Sequence, residues 1–339
     1  MAAAVLWLMP GAAHAAEAPT PPTQMEQGLK AYRQGAFEEA ALHWLEAARL
    51  FEQAGKPREE SNALTHLSQA YEALGVYTKA VTSLELALAR AGQAGDQTQT
   101  AAVLGSLGNA LIAVRRTEDA HRSLTDALAL ARTLEDAGLA AGVLNNMGNL
   151  LVAQKKPGEA VGAYLESAAL AQKTGNPLMA ARALSNAASA VLENGRHTDS
   201  KALLEQALEQ VRRLNPSHDK AYGLITISLI AQDLRLRLPD SNAPLTLLAF
   251  TVLTEAADAA VLIGDARATS YAWGHLGRLY ESERRYEEAM ELTRRAVFAA
   301  QQVNAPEALY RWHWQAGRLF RAQGKLDEAI GAYKRAVYA

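Results

Sequence analysis

The chain has no cysteine among its 339 residues, which excludes a thiol nucleophile, a disulfide framework and cysteine-ligated zinc. Charge of one sign is also missing. With 34 basic against 36 acidic residues there is no electrostatic case for binding nucleic acid. No uninterrupted apolar run reaches the ~18 residues of a spanning helix, so no membrane span is expected. The eight histidines form no H-E-x-x-H or other ligand spacing, and no metal or cofactor is implied. Phosphate loops, dinucleotide fingerprints and nucleophile elbows are absent as well. Glu38-Glu39, Glu118-Asp119 and Glu287-Glu288 recur where helices should begin, favouring the positive end of the helix dipole rather than acting as catalytic pairs. No enzyme activity is expected.

Hydrophobic residues make up 49% of the chain and prolines number only 11, too apolar and too unbroken for disorder. Alanine alone accounts for 71 residues. At the N-terminus, Ala2–Met9 form a short apolar core broken by Pro10-Gly11 and followed by Ala13-His14-Ala15. That small-x-small pattern is a signal-peptidase site, although the usual basic n-region is missing. Residues 1–16 are therefore expected to be a signal peptide with cleavage near Ala15/Ala16. The protein would then be periplasmic or secreted; without cleavage it would be cytoplasmic. Residues 17–23, rich in proline, are expected to be a disordered linker.

A 40-residue repeat organises the rest. A small residue returns at Ala40, Ala80, Ala120, Ala160 and Ser200, then at Ala249, Ala289 and Ala329. The longer step from Ser200 to Ala249 places nine extra residues in the polar stretch around Leu238–Pro244, an insert at 237–245. Within a unit, Leu64/Leu67/Ser68, Leu104/Leu107/Gly108, Leu144/Met147/Gly148 and Trp273/Leu276/Gly277 give an i, i+3 stripe ending in a small residue. The small residue twelve positions later lets a second, antiparallel helix approach. Gly35, Gly75, Gly195 and Gly324 fall between the two helices, and Gly55, Gly95, Gly175, Asn215, Gly264 and Asn304 fall after the second. Glycine and asparagine are the residues that best tolerate a left-handed helix end.

These residues resemble the tetratricopeptide repeat (TPR) over about 24–339. The resemblance implies an all-α, right-handed superhelical solenoid of about eight helix-turn-helix units, each longer than the usual ~34 residues, as in kinesin light chains and LGN-type scaffolds. Gln24 and Gln27 stand where other units place leucines, so the first unit can meet water. Ile330, Tyr333, Val337 and Tyr338 leave the last helix apolar, which predicts a longer natural chain or end-to-end self-association. Residues 309–337 also resemble the last repeats of bacterial proteins that carry a C-terminal CHAT domain, a caspase-like fold. On that alternative this chain would be the regulatory half of a protease whose catalytic part it lacks.

By the same resemblance, first helices line a concave groove that takes a peptide or protein segment. Its middle carries Asn109, Asn145, Asn146, Asn149 and Asn186 with Ser106, Ser185 and Ser189. Amide side chains both donate and accept, so they can hold an extended peptide backbone; the competing use is hydrogen bonding between neighbouring helices. Its later part carries Tyr222, Tyr271, His275, Arg278, Arg311, Trp314, Arg318 and Arg321. Aromatic and arginine side chains dominate binding hot spots and arginine grips carboxylates, which points to an acidic partner segment. The competing use is pairing with Glu281, Glu283 and Asp265. The carboxylate clamp of heat-shock cochaperones is not transferred: Asn149 and Asn186 occupy its two asparagine places, but Asn145, Tyr222 and Thr226 stand where basic residues belong.

Overall fold

The computed structural model describes residues 20–238 and 242–339; the expected signal peptide, residues 17–19 of the linker and residues 239–241 of the insert lie outside the described residues. Sixteen helices and no strand are present among the described residues, and they form eight consecutive hairpins. The first four hairpins are α1 (Pro21–Arg33) with α2 (Phe37–Gln53), α3 (Pro57–Ala73) with α4 (Tyr77–Ala94), α5 (Gln97–Ala113) with α6 (Thr117–Thr133), and α7 (Ala137–Ala153) with α8 (Pro157–Lys173). The last four are α9 (Pro177–Glu193) with α10 (His197–Arg212), α11 (His218–Arg237) with α12 (Asn242–Ile263), α13 (Ala266–Ser282) with α14 (Tyr286–Gln302), and α15 (Pro306–Ala322) with α16 (Leu326–Tyr338). First helices touch the first helices of neighbouring units, from α3 and α5 through α13 and α15, so they form the inner wall of the solenoid.

Four of the hairpins are held by a notch and a knob. Gly148 lies so close to Tyr164 that a Cβ there would sit 2.4 Å from the ring, and Gly317 meets Tyr333 at the same distance. Gly28 and Trp44, and Gly108 and Leu124, repeat the arrangement. The small residues Ala40, Ala80, Ala120, Ala160, Ala249 and Ala289 are fully buried at the same crossings. Within hairpins, serines tie the two helices: Ser61 donates to Ala87 O at 2.8 Å, Ser167 to Ala141 O at 2.7 Å and Ser270 to Ala296 O at 2.7 Å.

The expected turn glycines, and Asn304, are left-handed. Asn215 is not, because Pro216 follows it and steers it toward extended backbone. Arg115, Glu135, Lys155 and Arg284 adopt φ between 53° and 63° at equivalent turns, a conformation that costs a β-carbon about 1 kcal/mol. Lys155→Gly is accordingly expected to raise the melting temperature. The gain stays below about 1 kcal/mol because glycine also loosens the unfolded chain, and thermal unfolding followed by circular dichroism reads it.

Four local expectations are corrected. Helix α1 starts at Pro21, ahead of the boundary placed at 24, because the Thr20 hydroxyl accepts from Thr23 N and proline suits a first turn. Gln24 is buried and bonded to His43 Nδ1 at 2.7 Å rather than facing water. Tyr333 fills the Gly317 notch, so the exposed apolar residues of α16 are Leu326, Ile330, Val337 and Tyr338. The insert lengthens its flanking helices to 20 and 22 residues, against 17 in most others; Pro244 falls in the first turn of α12, where no N–H partner is lost. Helix α12 is long and apolar enough to cross a membrane, yet Leu245, Val252 and Leu253 are buried in the solenoid core.

The winding brings the first hairpin back onto the sixth to eighth. Arg267, 2% exposed, donates from Nε to Gly35 O at 3.1 Å and from Nη2 to Glu38 at 3.3 Å, and also pairs with Glu307. Its guanidinium lies 5.0 Å from the Phe37 ring centroid. Beside it, His218 bonds Asp265 at 2.6 Å and packs against Tyr32, Phe37 and Tyr222. The α1–α2 turn is thereby docked on α11 and α13, and Arg267 links it onward to Glu307 of α15.

Candidate functional site: the inner wall

Docking of the first hairpin turns the concave wall into a cup. A cavity of about 700 Å³ is bounded by Tyr32, by Gln69 and Glu72 of α3, by Ser106 and Asn109 of α5, by Asn145 and Asn146 of α7, by Arg182 of α9 and by Asp219 of α11. A second of about 350 Å³ adjoins it at Tyr32, Asn145, Arg182 and Asp219 and extends to Ser185, Asn186, Tyr222 and Thr226. Asn149 and Asn186 share a smaller recess with Tyr164 and Ser189.

The five asparagines come together, and much of their hydrogen bonding is internal. Asn149 Nδ2 donates to Asn109 Oδ1 at 3.0 Å, and Asn186 Nδ2 donates to Asn145 Oδ1 at 2.9 Å. Asn146 Nδ2 donates to Gly105 O at 3.0 Å, while Tyr164 OH donates to Asn149 Oδ1 at 2.9 Å. The interhelical use is therefore present, and the residues Asn109, Asn145, Asn146 and Asn186 also line the cavities. Each Nδ2 carries two hydrogens, so Asn146 and Asn149 keep donor capacity after their bridging bonds, whereas Asn186 donates to both Asn145 and Asn149.

Electrostatics differ along the wall. Glu72 faces the larger cavity without an ion pair among the described residues; burial pushes its carboxyl up to about 7, against the opposing effect of a hydrogen bond from Asn109. Arg182 and Asp219 neutralise each other at 2.5 Å. Tyr32 is raised to about 12, first by burial and then by Asp219.

At the far end, Tyr271 packs between Tyr222, His275 and Trp312. His275 is 5% exposed and its Nδ1 has no hydrogen-bond partner. Burial, Arg278 and Arg311 hold its pKa down to about 3, so the ring is neutral. Arg278 and Arg311 are exposed and make no ion pair among the described residues. Partial desolvation by the surrounding helices and the neighbouring Arg318 and Arg311 depress the Arg278 pKa. Arg318 is instead engaged by Glu281 through two bonds at 2.9 and 2.7 Å. Glu283 pairs with Arg235, and Asp265 with His218. Trp314, 42% exposed, stacks on Tyr310 and packs on Tyr333; Arg321 is exposed one turn beyond Arg318. Of the later group, Arg278 and Arg311 lie near His275 and Arg318 lies near Arg278, whereas Trp314 packs on Tyr333 of α16.

Sequence reasoning did not single out Tyr32, Glu72, Arg182 or Asp219. Glu72 carries a readable signal, since it lies one turn beyond Gln69, the residue in register with Asn109. Tyr32 carries none, because its place depends on how far the superhelix winds.

The tetratricopeptide repeat family model matches residues 59–133 and 139–213, and a second model of the same repeat matches 272–302. No curated protein sequence matches significantly. Among solved structures, the fold is similar to a Rap protein complexed with competence and sporulation factor, with TM-score 0.58 and 16% identity over 84% of this chain and 76% of that one. It is similar to the apo form of the quorum sensor NprR from B. thuringiensis, with TM-score 0.59 and 13% identity over 94% and 87%. A STAND protein with a tetratricopeptide repeat sensor from Pyrococcus horikoshii gives TM-score 0.60 and 15% identity over 93% of this chain and 47% of that one, so this chain spans about half its length. Three matched segments, eight hairpins and a shared solenoid fold agree: the chain belongs to the tetratricopeptide repeat family.

Proposed function

We propose that the protein is a non-catalytic scaffold that binds an extended peptide or protein segment inside the cup formed by its first helices. The observation that carries this reading is the polar lining of two adjoining cavities of about 700 and 350 Å³, which runs from Glu72 past the asparagines to Tyr222 and Thr226. The asparagine amides hold peptide backbone, and Arg278 and Arg311 favour an acidic segment at the far end. The Rap neighbour, whose complex contains competence and sporulation factor, supports a ligand in the equivalent fold. Export follows from the Ala13-His14-Ala15 site and is read from the N-terminal residue of the mature protein. The exposed apolar residues of α16 support end-to-end association of copies, read by sedimentation at increasing concentration.

Gly142 provides the test. It lines the larger cavity, and a Cβ added there meets nothing closer than the Met179 methyl at 3.8 Å. Gly142→Phe fills the cavity while removing a glycine from a helix interior, where it costs roughly 0.5–1 kcal/mol. The expected result is at least tenfold weaker retention of a random peptide pool with an unchanged or higher melting temperature. Unchanged retention would place binding elsewhere.

A further inference from the structure

The inner wall carries an unpaired carboxyl at one end and unpaired guanidinium groups at the other. On α3, Glu72 has no cation in ion-pair reach, and the nearby Arg182 is spent on Asp219 at 2.5 Å. On α13 and α15, Arg278 and Arg311 have no carboxylate in ion-pair reach, Arg318 is spent on Glu281, and Asp233 faces Arg278 without reaching it. Between the two ends the wall is neutral: amides on α5, α7 and α9, then Tyr222 on α11 and Tyr271 on α13. Beneath the basic end lies His275, neutral, 5% exposed and with Nδ1 unpartnered. A neutral imidazole there adds no charge to repel the guanidinium groups.

We propose that the cup is directional: it holds a linear peptide with a protonated amine at Glu72 and a carboxylate at Arg278 and Arg311. This rests on the peptide-binding reading above and adds the orientation of the chain and the chemistry of its two ends. Both charges of an unmodified short peptide are then matched, and the reversed orientation sets like against like at each end. Discrimination arises from that repulsion as much as from attraction. Successive first helices stand about 8–10 Å apart, so the wall from α3 to α13 measures at most about 50 Å. That is roughly 15 residues of extended peptide at ~3.3 Å each, an upper bound because the wall curves.

The experiment passes random-sequence 12-residue peptide pools over the immobilised full chain and measures the amount retained by mass spectrometry. Four pools lack Lys, Arg, His, Asp and Glu and differ in their ends: both free, N-acetylated, C-amidated, or both blocked. A fifth has blocked ends with one Lys and one Glu inside, which separates side-chain charges from chain termini. Blocking either end, or removing the matching side-chain charge, is expected to lower retention about tenfold. Glu72→Gln is expected to abolish the difference between free and acetylated pools while keeping that between free and amidated pools. The pair Arg278→Gln and Arg311→Gln is expected to do the converse, with helical circular dichroism unchanged in both. Retention that ignores both ends and internal charges overturns the directional reading and leaves peptide binding intact, as does an exchange of the two variants' effects. Failure to retain any pool overturns peptide binding and, with it, direction.

Discussion

Trp312→Ala is expected to detach the last hairpin from the rest of the solenoid. The Trp312 ring is 3% exposed and lies flat against Gly274, where a Cβ would sit 2.3 Å from it. Its Nε1 donates to Ser270 Oγ at 2.9 Å, and that hydroxyl donates to Ala296 O at 2.7 Å. One side chain thus fills the seam between the seventh and eighth units and anchors its polar tie. Truncation removes the buried ring and leaves a cavity, at about 3–5 kcal/mol. In a repeat array that loss falls on one nearest-neighbour interface. Hydrogen exchange should therefore accelerate across α15 and α16 while α3 to α10 keep their protection. Trp312→Phe should recover most of the loss, missing only the Nε1 bond at about 1 kcal/mol. Uniform loss of protection along the whole chain would show that the seam is not an independent interface.

Arg267→Met is expected to undock the first hairpin. Glu38 and Glu307 are about half exposed, so water can take over their solvation once the guanidinium is gone. Gly35 O loses its only donor at the seam, and a buried carbonyl left without one costs about 1–3 kcal/mol. Because the α1–α2 turn meets the later units chiefly at Tyr32, Phe37 and this arginine, that sum is comparable with the whole docking energy. A loss of ~2 kcal/mol shifts the docked population about thirtyfold. Donor and acceptor dyes on α2 and α15 should report a longer, broader separation, and the radius of gyration should rise, while total helicity stays constant. A Lys in place of Arg should close the ring only in part, since one ammonium cannot serve three acceptors set around a planar fork. Unchanged distances would mean that the aromatic contacts alone hold the seam.

The repeat was legible because its signals recur in register. The buried small residues from Ala40 to Ala329 and the glycines between helices mark every crossing and most turns. What the period cannot encode is long-range curvature. Gly35 and Arg267 are far apart in sequence and belong to different units, and nothing local to either predicts that they meet. The asparagines were legible as a set, but their division between bridging and lining depends on how closely α5, α7 and α9 approach. The arginines likewise divided by neighbour: Glu281 lies within reach of Arg318 and not of Arg278. Pro244 misled because a proline in a helix's first turn reads, in sequence, like a proline in a loop.

The docked first hairpin also changes what kind of polymer this array is. An open stack of repeats behaves as a one-dimensional chain of coupled units, in which the terminal unit has a single neighbour and melts first. Here the first unit has a second set of neighbours from the sixth to the eighth, so melting inward from that end must break two interfaces together. Local openings there should give way to larger cooperative ones. The contact is also formed across more than two hundred intervening residues, and such closure comes at the end of folding, after the local hairpins that precede it. A solenoid that would otherwise grow by zipping acquires a distinct last step.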